Sequence, residues 1–431
     1  MNRYSDRPDI MGIGDSMYQG IRSLSFLPSM VQHSTPKQVA DALGMAMVVP
    51  DLQRPMLFDL EQQIREGGLL HLVQGIRNTC LQELPHWPLN QPWSQHEAFD
   101  NIAVGGATIG SMLDDTDANH RDEFIRMSAT LATPGLSIRQ LASTVGSLWF
   151  ALNNCYTLNP RHRDEQAGKS QMQQVEDRLP RILLINIGSN EGLFKAGFLG
   201  DFSQQTMAGV DTIPRLLAPL AERLKALPAR VERIVFNGLI RPRFIPNLMP
   251  SAEHQNDFPG EANFFAYGPR ISDTQTRISA QQVQDFDALV ARVNAEAQDV
   301  LRTALGDRVR FADVFAACPP FDGKHFQHRG LAIPRHNKTL TNQALQPLPF
   351  NFIGGFAGLD NMHPTVPGYA VIADVVLAAL GRSVSIDKDA AYDADTLLNH
   401  LPGLRMLVFD AELALVGSLG VFRKGEVAAT V

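Results

Sequence analysis

Short apolar runs alternate with amphipathic stretches along most of this chain. Five runs read as buried strands: residues 9–13, 101–104, 182–187, 231–237 and 309–315. Between several of them apolar positions recur at helical spacing. Leu216, Leu217, Leu220 and Leu224 make one stripe within 206–227. Phe286, Leu289, Val290, Val293 and Val300 make another within 280–305, and Gly306 is placed to end that helix. A last helix is expected over 365–380, with Pro367 in its first turn and Gly381 behind it. Strands alternating with helices predict a parallel sheet covered on both faces. The expected fold class is therefore α/β, a three-layer α/β/α sandwich of flavodoxin type with a five-stranded parallel sheet. In such sheets ligands bind outside the carboxyl ends of the strands.

Two long connections, 241–273 and 316–358, follow the fourth and fifth expected strands and face that same edge. Both are rich in Pro, Gly and Asn, and they carry Phe244, Phe264, Phe265, Phe350, Phe352 and Phe356. Two readings of these rings stay open: an acyl pocket, or a satellite cluster that pins a long loop. Residues 110–180 hold an expected helix near 137–155 and are read as a helical cap insertion. The expected division is a domain over 1–385 and an extension over 386–431, with a helix at 393–401 and a strand at 404–409.

The chemistry sits at the ends of these elements. Asp360 and His363 share the stretch Gly358-Leu-Asp-Asn-Met-His-Pro-Thr365, so one turn can carry a carboxylate and the imidazole it orients. Taken alone, Asp360 also suits a helix N-cap. Ser16, in Gly14-Asp-Ser16, follows the first apolar run and has the address of a nucleophile at a strand end. In Asn101-Ile-Ala-Val-Gly-Gly106-Ala-Thr108 a strand runs into paired glycines, where backbone N–H groups can approach a ligand. In Gly188-Ser-Asn190-Glu191 an asparagine amide directly follows a buried run. It can donate to an oxyanion, or it can serve as a turn asparagine bonded to its own backbone.

Taken in order, these four blocks resemble the SGNH, or GDSL-type, hydrolases, a family of serine esterases and lipases. The resemblance spans residues 9 to about 382. It implies Ser16 as nucleophile, His363 as general base and Asp360 as the orienting acid. It also implies an oxyanion hole made by the backbone N–H groups of Ser16 and Gly106 and the side chain of Asn190. Gly106 is preferred to Gly105 because it lies five residues after Asn101, as the family's block glycine does. Met17 stands where the family commonly has leucine, and Glu191 stands where it has aspartate. The implied reaction is cleavage of a carboxylic ester through an acyl-enzyme on Ser16. An acyltransferase or thioesterase on the same site, and a non-catalytic module that kept the pocket, are the alternatives.

Composition narrows the rest. The chain has 431 residues, 44% of them hydrophobic and 19% charged, with a net charge of -7. That balance offers no basic field for nucleic acid. Cys80, Cys155 and Cys318 are too scattered for a metal pattern and are expected as reduced thiols. His325, His328 and His336 lie among Lys324 and Arg329 without helical spacing and read as a solvated loop. No cofactor and no metal are expected. The expected partner is a small-molecule ester, with no stable membrane insertion; the oligomeric state is left open. No apolar h-region follows Met1, so a cytoplasmic location is expected. Gly12-Ile-Gly14 lacks the third glycine of a dinucleotide fingerprint, because Met17 occupies it.

Overall fold

Four parallel strands form the centre of the computed structural model: Ile10–Gly14, Ile182–Asn186, Arg233–Asn237 and Val309–Ala312, adjacent in that order. The structure describes residues 7–67, 72–245, 278–318, 332–340, 355–360 and 362–396, with residue 248 and the pair 263–264. In register, Ile10 lies beside Ile182, Ile182 beside Arg233, and Ile234 beside Val309. Every residue of the first two strands is buried, as expected of a sheet covered on both faces.

The fifth expected strand does not form as such. Residues 100–104 run beside the first strand, with N–H···O bonds Gly12 to Asp100, Ile102 to Gly12 and Val104 to Gly14. They make a single parallel bridge, Gly12 with Asn101. A second bridge would need the Gly14 N–H. That group donates instead to Gln171 Oε1 at 2.7 Å. The sheet proper therefore has four strands among the described residues.

Two groups of helices cover the sheet. Thr35–Ala42 and Val366–Ala379 pack on each other, and the second lies against the third and fourth strands. Ile109–Asp114, Gln171–Arg178, Ile213–Ala226 and Ala280–Leu305 form the other group. The helix expected over 206–227 is broken into Gln204–Asp211 and Ile213–Ala226. Pro214 is the cause. It has no N–H for the ladder and sits where a helix tolerates proline, in the first turn of the second piece.

Within 110–180, Asp117–Ala132 and Ile138–Leu158 form an antiparallel pair. The longer helix packs its Trp149 and Phe150 against Gly105 and Gly106. The C-terminal helix falls at Lys388–Ala394 and overlaps the expected 393–401 only at its end; 397–431 lie outside the described residues. Tyr392 is buried with Phe244, Val314 and Phe356, so the helix Lys388–Ala394 packs on the rest of the described protein. All three cysteines are buried and free. No described helix is long and apolar enough to cross a membrane.

Candidate active site

Gly14 ends the first strand at φ 127°. A Cβ built there would sit 1.8 Å from the Asn186 carbonyl oxygen on the neighbouring strand, so only glycine lets the chain turn here. The turn delivers Asp15 as N-cap of the one-turn helix Ser16–Gln19. Asp15 Oδ1 accepts from the Met17 N–H at 3.1 Å and from Asn186 Nδ2 at 2.7 Å. Ser16 is left half-buried at the carboxyl edge of the sheet.

The loop carrying the other two residues is closed by an antiparallel bridge between Ala357 and Pro364, and by a 2.8 Å bond from Gly358 N–H to the His363 carbonyl. Inside it, His363 Nδ1 lies 2.6 Å from Asp360 Oδ2. The same carboxylate accepts the N–H groups of Met362 and His363 on Oδ1 and that of Leu24 on Oδ2. Asp360 is thus the cap of its own turn as well as the imidazole's partner. Burial pushes its carboxyl up, but the adjacent His363 and these hydrogen bonds outweigh burial and hold it below the ordinary aspartate value.

Ser16, Asn190 and His363 line one cleft. The rest of its lining is mainly apolar, including Leu193, Phe194, Leu239, Ile245, Met362 and Ile372. No carboxylate, lysine or arginine lines it among the described residues. Asn190 sits in the single turn Ser189–Glu191 that follows the second strand. Its Nδ2 donates to the Ala107 carbonyl at 2.8 Å. It therefore bonds a different loop and not its own backbone, with one amide hydrogen still to give. The partner loop turns at Gly106, which has φ 83° and is exposed, outside the cleft lining. The Gly105 N–H is committed to Gln19 Oε1 at 2.7 Å. The N–H groups of Ser16 and Gly106 meet no protein acceptor among the described residues.

Of the other expected features, Phe244 and Phe356 meet edge to face at 4.6 Å inside a buried cluster that backs the cleft through Val314 and Ile372, without themselves lining it. Phe265, Phe350 and Phe352 lie outside the described residues, as do His325 and His328. His336 pairs with Asp393 at 2.8 Å. The described residues contain no group of three or more side chains placed to hold a metal ion.

Two features of the site were not anticipated from the sequence. The first is a buried polar chain behind the nucleophile turn. Tyr18 Oη donates to Asn237, Asn237 to Asn186, and Asn186 to Asp15. Asparagines ending two adjacent strands were the available signal. The second is the partner of Glu191, a residue the sequence marked only as standing where the family has aspartate: its Oε1 accepts the Ile109 N–H at 2.6 Å and so ties the Asn190 turn to the helix after Gly106. Burial raises its carboxyl to about 7, against the pull of that bond.

Burial likewise raises Asp15 to about 6, although its bonds with Met17 and Asn186 and the charge of His363 pull it down. A carboxyl that holds its proton more tightly when folded stabilises the fold fully below its unfolded value of 3.8. That stabilisation is lost as pH rises through about 6. The loss over this window is on the order of 3 kcal/mol. Asp15→Asn retains the Oδ1 acceptor and cannot ionise. Urea unfolding at stepped pH is expected to show a shallower decline between pH 4 and 6.5 in this variant than in the wild type, the decline that remains being that of Glu191, whose carboxyl is likewise raised. An equal decline in both would mean that Asp15 is not its source.

No protein-family model matches the chain, and no curated protein matches it. A solved structure of a gut microbial diltiazem-metabolizing enzyme is similar at 15% identity with a TM-score of 0.27. The match covers 49% of this chain and 36% of that one, so the chain spans little more than a third of that enzyme's length.

Proposed function

We propose that this protein is a serine hydrolase of SGNH type that cleaves carboxylic esters through an acyl-enzyme on Ser16. The observation that carries the reading is the buried 2.6 Å contact of Asp360 with His363, whose ring opens on the same cleft as Ser16 and Asn190. An acceptor-only carboxylate on Nδ1 fixes the imidazole as Nδ1–H and leaves Nε2 as the base. His363 Nε2 takes the hydroxyl proton as Ser16 Oγ attacks the ester carbonyl. The tetrahedral oxyanion is received by the Ser16 N–H and the second amide hydrogen of Asn190, both residues of the cleft lining; the Gly106 N–H, which the resemblance implies as a third donor, lies outside that lining. His363 then protonates the departing alcohol, and a water deprotonated by the same nitrogen releases the acid.

The cleft also bears on the substrate. Among the described residues the lining is mainly apolar and carries no fixed charge, which suits a hydrocarbon acyl chain. The test is a fluorophosphonate probe, which should attach to Ser16 in the intact protein. With p-nitrophenyl esters, acyl groups of several carbons should then outpace acetyl. A protein that neither labels nor turns over any of these esters is not a serine hydrolase.

Asn190→Ala separates an oxyanion donor from a loop brace. The oxyanion exists only in the transition state, so its loss should lower kcat and barely move KM. One such donor is worth about 2.7–4 kcal/mol, or roughly a hundred- to a thousandfold in kcat. The bond to Ala107 is lost as well, so the melting temperature should fall in either case. Only kcat decides: a near-normal value in the folded fraction would make Asn190 a brace.

A further inference from the structure

The two-residue turn Ser23-Leu24 joins the paired strands Ile21–Arg22 and Ser25–Phe26. Both turn residues lie in the left-handed region, at φ 53° and 55°. Such turns normally take Asn-Gly, and a serine and a leucine there carry a backbone strain that those residues avoid. Leu24 is 37% exposed, so core burial of its side chain does not repay that cost. What the turn does provide is two contacts with the segment that carries Asp360. The Leu24 N–H donates at 2.8 Å to Asp360 Oδ2, the oxygen that also holds His363. Ser23 Oγ accepts the Leu359 N–H at 2.9 Å.

The turn is itself held from below. Ser23 Oγ donates to Glu61 Oε1 at 2.7 Å. Glu61 grips Arg22 with both oxygens, at 2.7 and 2.8 Å. Arg22 Nη1 reaches Asp395 Oδ2 at 3.0 Å, beyond residue 385 in the C-terminal extension. Asp395 Oδ2 also accepts the N–H of Val366, which opens the helix after His363. Arg22, Ser23 and Asp395 are fully buried, and Glu61 nearly so. The Arg22–Glu61 pair is bidentate, whereas Arg22 Nη1 meets Asp395 as a close ion pair without hydrogen-bond geometry; buried charges held in this way fix a geometry that an apolar contact would leave loose.

We infer that Ser23, Arg22, Glu61 and Asp395 are positioning residues that set Asp360 against His363, and that the C-terminal extension completes the active site through Asp395. The inference rests on the reading of Asp360 as the orienting acid. A carboxylate displaced by a fraction of an ångström would misdirect the imidazole without altering the substrate cleft. Ser23→Ala and Asp395→Asn, each in the full-length chain, test it.

Both variants should lower kcat about ten- to a hundredfold while KM stays within about twofold. The low-field proton resonance of His363 Nδ1 should shift or broaden in both. Should Asp395→Asn fail to fold, Ser23→Ala decides alone, because it leaves the ion cluster intact. A lower melting temperature with unchanged kcat and an unchanged resonance would overturn the inference and leave the cluster as a fold element. If the wild type does not react with fluorophosphonate, the hydrolase reading fails and takes this one with it. A wild type that reacts, beside variants that react equally fast, sinks the positioning role only.

Discussion

Ser16→Ala should leave a folded protein with no measurable ester hydrolysis. On the proposed mechanism Ser16 Oγ is the attacking atom, so its removal closes the covalent route. Loss of a nucleophile from such a relay typically costs on the order of 10⁴-fold or more in kcat, and the remainder reflects binding and the oxyanion donors. The fold should hardly respond. Ser16 is half-buried, and its hydroxyl makes no hydrogen bond among the described residues. Asp15, which caps the short helix, stays in place. The melting temperature is thus expected to match the wild type, and the fluorophosphonate label should vanish. Undiminished hydrolysis by the purified variant would move the nucleophile elsewhere.

The parts of the protein legible in the sequence are those set by neighbours along the chain. Four apolar runs became strands within three residues of their expected bounds, because burial on both faces writes a continuous apolar run. The helix Ala280–Leu305 matched its stripe of apolar residues and its closing glycine. The Asp360–His363 contact was legible for the same reason, since three residues separate the pair. Long-range partners wrote no such signal. Gln171 takes the Gly14 N–H from a distance of 157 residues and turns a strand into a bridge. Arg22, Glu61 and Asp395 each look like ordinary surface charges in the sequence, and their burial follows only from three distant segments meeting. Asp15 was passed over because its neighbour Ser16 drew the chemistry, while burial made it one of the most perturbed carboxyls of the site.

Asp360→Asn should cost both activity and stability, for one geometric reason. Both oxygens of Asp360 act only as acceptors: Oδ1 for two backbone N–H groups, Oδ2 for Leu24 N–H and His363 Nδ1. An asparagine must place its NH₂ at one of these positions. At the Oδ2 position it confronts the Leu24 N–H and can bond Nδ1 only as a donor. The imidazole then carries its proton on Nε2 and cannot act as the proposed base. At the Oδ1 position it opposes two backbone donors at once. A wrong tautomer of this kind costs a serine hydrolase about 10⁴-fold in kcat. A buried donor left without an acceptor costs roughly 1–3 kcal/mol of stability. The stability gap should also depend on pH. Because the Asp360 carboxyl sits below its ordinary value of 3.8, its contribution is complete above that pH and is lost as pH falls through the folded value. The two proteins should therefore converge in stability under acid conditions and differ most near neutrality. Measuring kcat and urea stability from pH 3 to 8 tests both halves. A variant with kcat within about tenfold of wild type would show that His363 does not depend on Asp360 for its tautomer.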